Sequence, residues 1–268
     1  MFASLLPLVL VWQNPAPQGT PPPPSPPPAE AKQSATPPAG APAGAPTGAP
    51  QVVVNLDDRS GKTTADELTK ALKTANSMSE KNRALEAVAT SSHKLLVKPL
   101  ATVIETDKSL VIRKRAAELL ANQPAAEANA MARGLLRKLN AQPTVQADLV
   151  RVIAKTGYEP AHWADLDGLF ERQYATDRVG LQEAILDLVA EHKERRALPM
   201  LIRNLDEPAA ENVEDAANPP AEYWEARWKA WSAWRGKVKE ALFAVTGQRF
   251  STASEAKAWL EKNGGKKK

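Results

Sequence analysis

The amino-acid sequence predicts an all-α fold: a stack of about five helical hairpins, an α-solenoid, behind a disordered proline-rich segment. Three observations predict it. Between Val52 and Asn263, apolar residues recur at helical spacing in paired runs separated by short polar breaks. The second run of a pair returns along the chain: Ala116, Leu119 and Leu120 become Leu149, Val152 and Ile153 after 33 residues. After a further 36 they become Ile185, Leu188 and Val189. A period of this size marks helical repeats, each burying its apolar face only against its neighbours. Finally, 15 of the 23 prolines lie in the first 50 residues, so the ordered and disordered parts are segregated.

Energetics favour stacking over isolated hairpins. One buried Leu or Ile contributes roughly 1.5–3 kcal/mol, and a hairpin carries about six such residues. Ordering costs about 1–2 kcal/mol per residue, so a lone hairpin does not hold. No strand is expected between Val52 and Gly247.

Leu5–Trp12 is an apolar run too short to span a bilayer, which takes about 20 residues. Residues 1–14 have the length of a signal peptide, although no Lys or Arg precedes the run and no clean Ala-x-Ala site follows it. Export to a periplasm, cell envelope or the exterior is the expectation, with the cytoplasm as the other reading. Residues 15–51 include Pro21–Pro24, Pro26–Pro28 and a Gly-Ala-Pro motif every four residues, at Gly40, Gly44 and Gly48. Such a segment cannot bury enough surface to offset its ordering entropy, and proline keeps it extended, so it reads as a spacer.

The net charge of +4 includes Lys266, Lys267 and Lys268 in a basic tail (264–268), which leaves the body near +1. That is no footprint for a polyanion, so no nucleic-acid partner is expected. The absence of cysteine excludes disulfides, zinc thiolates and thiol nucleophiles. No Gly-x-Ser-x-Gly, His-Glu-x-x-His or paired glycine loop occurs. His93, His162 and His192 fall in separate repeats, and His162 with Asp165 supplies two ligands where a metal needs more. No catalytic, cofactor-binding or metal residue is assigned.

The folded region (52–263) then reads in order. Thr64-Ala-Asp-Glu67 resembles a capping box opening the first helix, which shows Leu68, Leu72 and Ala75. Gly61-Lys-Thr-Thr64 lacks the leading glycine of a phosphate loop, Leu56 standing in that place, and is read as a helix start. A partner helix follows from about Ser79. The second pair spans His93 to Gln123 and breaks at Thr106-Asp107-Lys108. The third starts near Ala125, breaks at Pro143 and closes at Gly157 as a left-handed cap. Pro160 opens the fourth pair and Leu198 the fifth.

After Asp206 the beat is interrupted by an acidic insertion, 207–222, with Glu211, Glu214 and Asp215. Loops of that length often carry function. A long helix runs from about Ala221 to Gly247, with Trp224, Trp228, Trp231, Val238, Leu242 and Val245 on one side and Trp234 at the edge. Thr252-x-x-Glu255 caps a last helix carrying Trp259 and Leu260. Two readings of the tryptophan stripe stand: a seal on the terminal repeat, or an aromatic groove for a peptide, a glycan or a partner helix.

Arg196-Ala-Leu-Pro-Met-Leu-Ile-Arg-Asn-Leu-Asp206 resembles the first helix of a HEAT repeat, with an early proline and an aspartate at the turn. Leu95-Leu-Val-Lys-Pro99 with Asp107 and Val111-Ile-Arg113 is similar to the same pattern with its second helix attached. The first and third pairs depart from it, lacking the proline and the aspartate. The ending Thr246-Gly-Gln-Arg-Phe250 with Trp259 is similar to the close of some secreted bacterial HEAT-repeat proteins. Tetratricopeptide repeats have a similar length, but their Trp, Leu-Gly and Tyr pattern is missing.

The resemblance implies that second helices line a concave surface. On it would lie Arg113, Lys114, Arg151 and Lys155, then Glu183, Asp187 and Glu191, a face running from basic to acidic. It implies a non-catalytic, monomeric protein–protein scaffold or adaptor with no cofactor. The alternatives are a HEAT-like nucleic-acid enzyme of the DNA glycosylase type, and binding of glycan or peptide by Trp224 and Trp228.

Overall fold

The computed structural model describes residues 52–172, 174–210 and 217–263, all within the unit Ala49–Lys268. The signal-like run, the proline-rich spacer, the basic tail and the acidic residues Glu211, Glu214 and Asp215 lie outside the described residues.

The chain is built from eleven α-helices among the described residues. They are α1 (Asp58–Thr74), α2 (Met78–Glu86), α3 (Val97–Thr106), α4 (Leu110–Leu120), α5 (Ala125–Lys138) and α6 (Pro143–Gly157). After these come α7 (Trp163–Phe170), α8 (Val179–His192), α9 (Leu198–Arg203), α10 (Ala221–Thr246) and α11 (Ala253–Asn263). Helices pair in sequence, α1 with α2, α3 with α4, α5 with α6 and α7 with α8. The second members also touch in order, α2 to α4, α4 to α6, α6 to α8 and α8 to α10. The apolar triplets that recur in the sequence are all buried, within one apolar cluster.

Against the expectation of no strand, β1 (Val54–Asn55) pairs in parallel with β2 (Ser91–Ser92), Val54 beside Ser91 and Asn55 beside Ser92. The pairing spans only two residues on each side, and it fastens the segment before α1 to the loop after α2.

Several boundaries moved for local reasons. Asp57, rather than Thr64, caps α1 by accepting from the Ser60 amide at 2.8 Å. Thr64 sits within the helix, its hydroxyl donating to Ser60 O at 2.9 Å. The capping box belongs to α2: Ser77 accepts from the Glu80 amide at 3.1 Å, and Glu80 accepts from the Ser77 amide at 3.2 Å. Gly157 has the expected positive φ, at 121°, but is the last residue of α6, and the extended Tyr158 follows as the cap. Three first helices are entered through a 3-10 turn: Lys94–Leu96 before α3, Pro160–His162 before α7 and Arg195–Ala197 before α9. Pro160 therefore opens the turn rather than the helix.

The long helix α10 also turns a different side inward. Ala230, Trp231, Trp234, Val238, Ala241 and Leu242 are its buried residues, so Trp234 is central where the edge was expected. The alanines carry little weight in an apolar pattern, yet their small size is what lets this side approach α8 and α9.

Candidate functional site

Sequence positions 113, 146 and 182 fall at the same place in three successive hairpins. All three are polar and all three are buried. Arg113 Nε donates to Ile104 O at 2.5 Å, Gln146 Nε2 to Leu136 O at 3.1 Å, and Gln182 Nε2 to Phe170 O at 3.0 Å. Each acceptor is a carbonyl in the last turn of the preceding helix, where no intrahelical donor remains. Arg113 was expected on the binding face and is instead a structural clamp. Burial lowers its pKa, with Asp107 opposing the shift.

Lys114, Arg151 and Lys155 do come together. With Glu118 and Asp148 they line a shallow groove of about 200 Å³ between α4 and α6. Arg151 Nη1 donates to Asp148 Oδ1 at 2.6 Å, and Lys155 Nζ to Asn122 Oδ1 of the preceding hairpin at 2.7 Å. Burial raises the Asp148 pKa, and the Arg151 guanidinium works against that rise. Further along, Asp187 on α8 accepts from Lys237 Nζ of α10 at 2.5 Å. Glu183 is half-buried and Glu191 is exposed. With Arg113 withdrawn, Arg151 offset by Asp148 and Asp187 by Lys237, the face is a mosaic of pairs rather than a run from basic to acidic.

The tryptophans divide in two. Trp231 Nε1 donates to Asn204 O at 3.2 Å, and Trp234 Nε1 to Gln182 Oε1 at 3.0 Å, both within the core. Trp224 is half-buried and Trp228 is exposed. The Trp228 ring is 46% exposed and its Nε1 donates to Glu207 Oε1 at 2.6 Å, at the start of the acidic insertion. Trp224 meets Tyr223 edge-on at 5.3 Å, with the Arg227 guanidinium 5.7 Å from its ring centroid. Such contacts bring aromatic surface and a cation into one patch.

His162 and Asp165 are not a pair: Asp165 is taken by Arg137 at 3.0 Å, and His162 lies 4.0 Å from Glu159. Among the described residues no group of three or more His, Cys, Asp or Glu side chains could hold a metal ion.

A further cavity has no counterpart among the sequence motifs. It lies between α1 and α3, measures about 660 Å³, and has Leu72, Pro99 and Val103 among its lining with lysines around them. Thr69, Leu72 and Lys73 share a face of α1, and Lys98, Thr102 and Thr106 a face of α3. Those spacings are visible in the sequence. The separation of the two helices that opens the groove is not.

No protein-family model, no curated protein and no solved structure matches this chain.

Proposed function

We propose that the chain is a non-catalytic scaffold, a HEAT-like α-solenoid exported behind a spacer, that binds another protein along its second helices. One observation carries this reading. Two successive hairpins present Lys114, Arg151 and Lys155 beside Glu118 and Asp148 on a single exposed groove. Mixed charge of this kind suits a protein surface, which is itself a mosaic, and gives specificity more than raw affinity. The repeat-equivalent clamps at Arg113, Gln146 and Gln182 support the solenoid, because they fix each second helix to its own partner in the same way.

The test is photo-crosslinking in the native cell envelope, with a photoreactive residue replacing Lys114 or Lys155 in the full chain. A discrete protein adduct is expected, lost on the further substitution Arg151→Glu. No adduct from either position would overturn the reading. Exposure of Trp228 favours a second one, peptide or glycan binding at Trp224 and Trp228. Quenching of tryptophan fluorescence by wall polysaccharide, abolished in Trp228→Ala, is what that reading requires.

A further inference from the structure

Around the groove between α1 and α3 the charges do not balance. Lys73, Lys81, Lys98 and Lys108 surround it, and among the described residues its one carboxylate is Asp107. That carboxylate is already engaged, by Lys81 Nζ at 2.5 Å and by the Ser109 amide at 2.8 Å. Burial alone would raise the Asp107 pKa, but the Lys81 ammonium and the Ser109 amide outweigh it and hold the carboxyl below its ordinary value. Lys73, Lys98 and Lys108 have no ion-pair partner among the described residues.

In the neighbouring groove between α3 and α5, Lys138 pairs with Glu105, while Lys98 lines both grooves. Cations elsewhere also reach a carboxylate on an adjacent hairpin: Arg115 on Glu86, Arg137 on Asp165, and Arg203 on Glu171. Lys73, Lys98 and Lys108 thus leave the groove with an excess of positive charge beside an apolar floor.

We propose that the groove between α1 and α3 binds an acidic segment of a partner protein, a short amphipathic helix. Its apolar side chains rest on Leu72, Pro99 and Val103, and its carboxylates meet Lys73, Lys98 and Lys108. The cavity falls in the size range of about 300–1,000 Å³ typical of ligand sites. An apolar floor gives a nucleic-acid backbone nothing to bind, and no aromatic side chain lines it for base stacking. An amphipathic helix uses both features at once. The groove lies apart from the α4/α6 face, so this proposal stands or falls independently of the scaffold reading there.

The test is fluorescence anisotropy with the full chain and a dye-labelled peptide of about 14 residues, roughly 21 Å as a helix. The probe carries leucines on one face and glutamates beside them. Comparison peptides replace leucine by serine, or glutamate by lysine. The Glu/Leu peptide binds, and binding weakens as salt rises. Lys73→Glu with Lys108→Glu lowers affinity by about tenfold or more. Thr102→Trp, which fills the groove from an exposed turn without changing charge, does the same. Lys114→Glu with Arg151→Glu leaves affinity unchanged. Circular dichroism spectra matching the parent keep a folding defect from counting as support.

Four results would each overturn the proposal. The Glu/Leu peptide fails to bind, or the Glu/Ser peptide binds equally well. Phosphatidylglycerol vesicles bind in a way that the lysine reversals abolish and Thr102→Trp does not, which assigns the lysines to a membrane surface. The unliganded chain self-associates and the lysine reversals prevent it, which gives the groove to a second copy.

Discussion

Trp234 Nε1 donates to Gln182 Oε1 at 3.0 Å, joining α10 to α8 through two side chains that are both fully shielded from solvent. The same Gln182 donates to Phe170 O, and the Phe170 ring lies 5.3 Å from the Trp234 ring. One glutamine thus links three helices. Its repeat-equivalent Gln146 makes only the carbonyl bond, and its Oε1 has no partner among the described residues. Replacing Gln182 by Leu leaves a carbonyl and an indole N–H unpaired, whereas Gln146→Leu leaves only a carbonyl. Each buried orphan costs about 1–3 kcal/mol. Urea unfolding should show Gln182→Leu to be the more destabilising, by about 1 kcal/mol or more.

Adjacent residues in α4 should behave oppositely. Arg113 is buried and bonded to Ile104 O, while its neighbour Lys114 is exposed. Arg113→Ala should lower stability by about 2–3 kcal/mol, and Lys114→Ala should stay within about 0.5 kcal/mol. Thermal unfolding of the two variants side by side checks this. Equal effects would remove Arg113 from its structural role.

Gly61 lies inside α1, where helix propensity alone predicts that alanine gains about 1 kcal/mol. The structure predicts a loss. A Cβ at this position would fall 2.3 Å from Cγ and Nδ1 of His93. That imidazole cannot easily withdraw: Nδ1 accepts from the Leu95 amide at 3.3 Å, so Nε2 carries the proton and donates to Asp58 Oδ1 at 3.1 Å. Gly61→Ala should destabilise by about 1–3 kcal/mol. Gly134→Ala and Gly236→Ala, in helices with open space around them, should stabilise by about 0.5–1 kcal/mol.

Much of this fold was legible because it rests on spacing. The recurrence of Leu119, Val152 and Leu188 is a helical period, and all three side chains are buried. The polar clamps follow the same period, at Arg113, Gln146 and Gln182, yet a polar residue on a helix ordinarily reads as exposed. The pattern alone therefore places Arg113 at the surface. Thr64 shows another limit: a capping box and an i−4 hydroxyl bond use the same residue types, and Asp57 with Asp58 had already started the helix. Neither Lys237 against Asp187 nor Lys81 against Asp107 could be foreseen, because those contacts depend on how neighbouring hairpins sit. The α1/α3 groove depends on the same relationship between hairpins.

Acid should act through Asp107, whose folded-state carboxyl lies below its ordinary value of 3.8. A carboxyl so held contributes stability above its unfolded-state pKa and loses it as pH falls through the folded-state value. At neutral pH, Asp107→Asn should cost about 1–3 kcal/mol. The gap between parent and variant should stay flat down to about pH 5 and narrow below about pH 4. Urea titrations across that range would show it. A gap that widens on acidification would contradict the sign.

Hairpins that lend one another a dry interior predict graded damage when one contact is removed. Hydrogen exchange on the full chain and on Trp234→Ala measures this helix by helix. Amides of α8, against which Trp234 packs, should lose the most protection, those of α6 less, and those of α3 and α4 should keep it. Undiminished protection in α8, or an equal loss in all four helices, would show that the hairpins do not depend on their neighbours in this way.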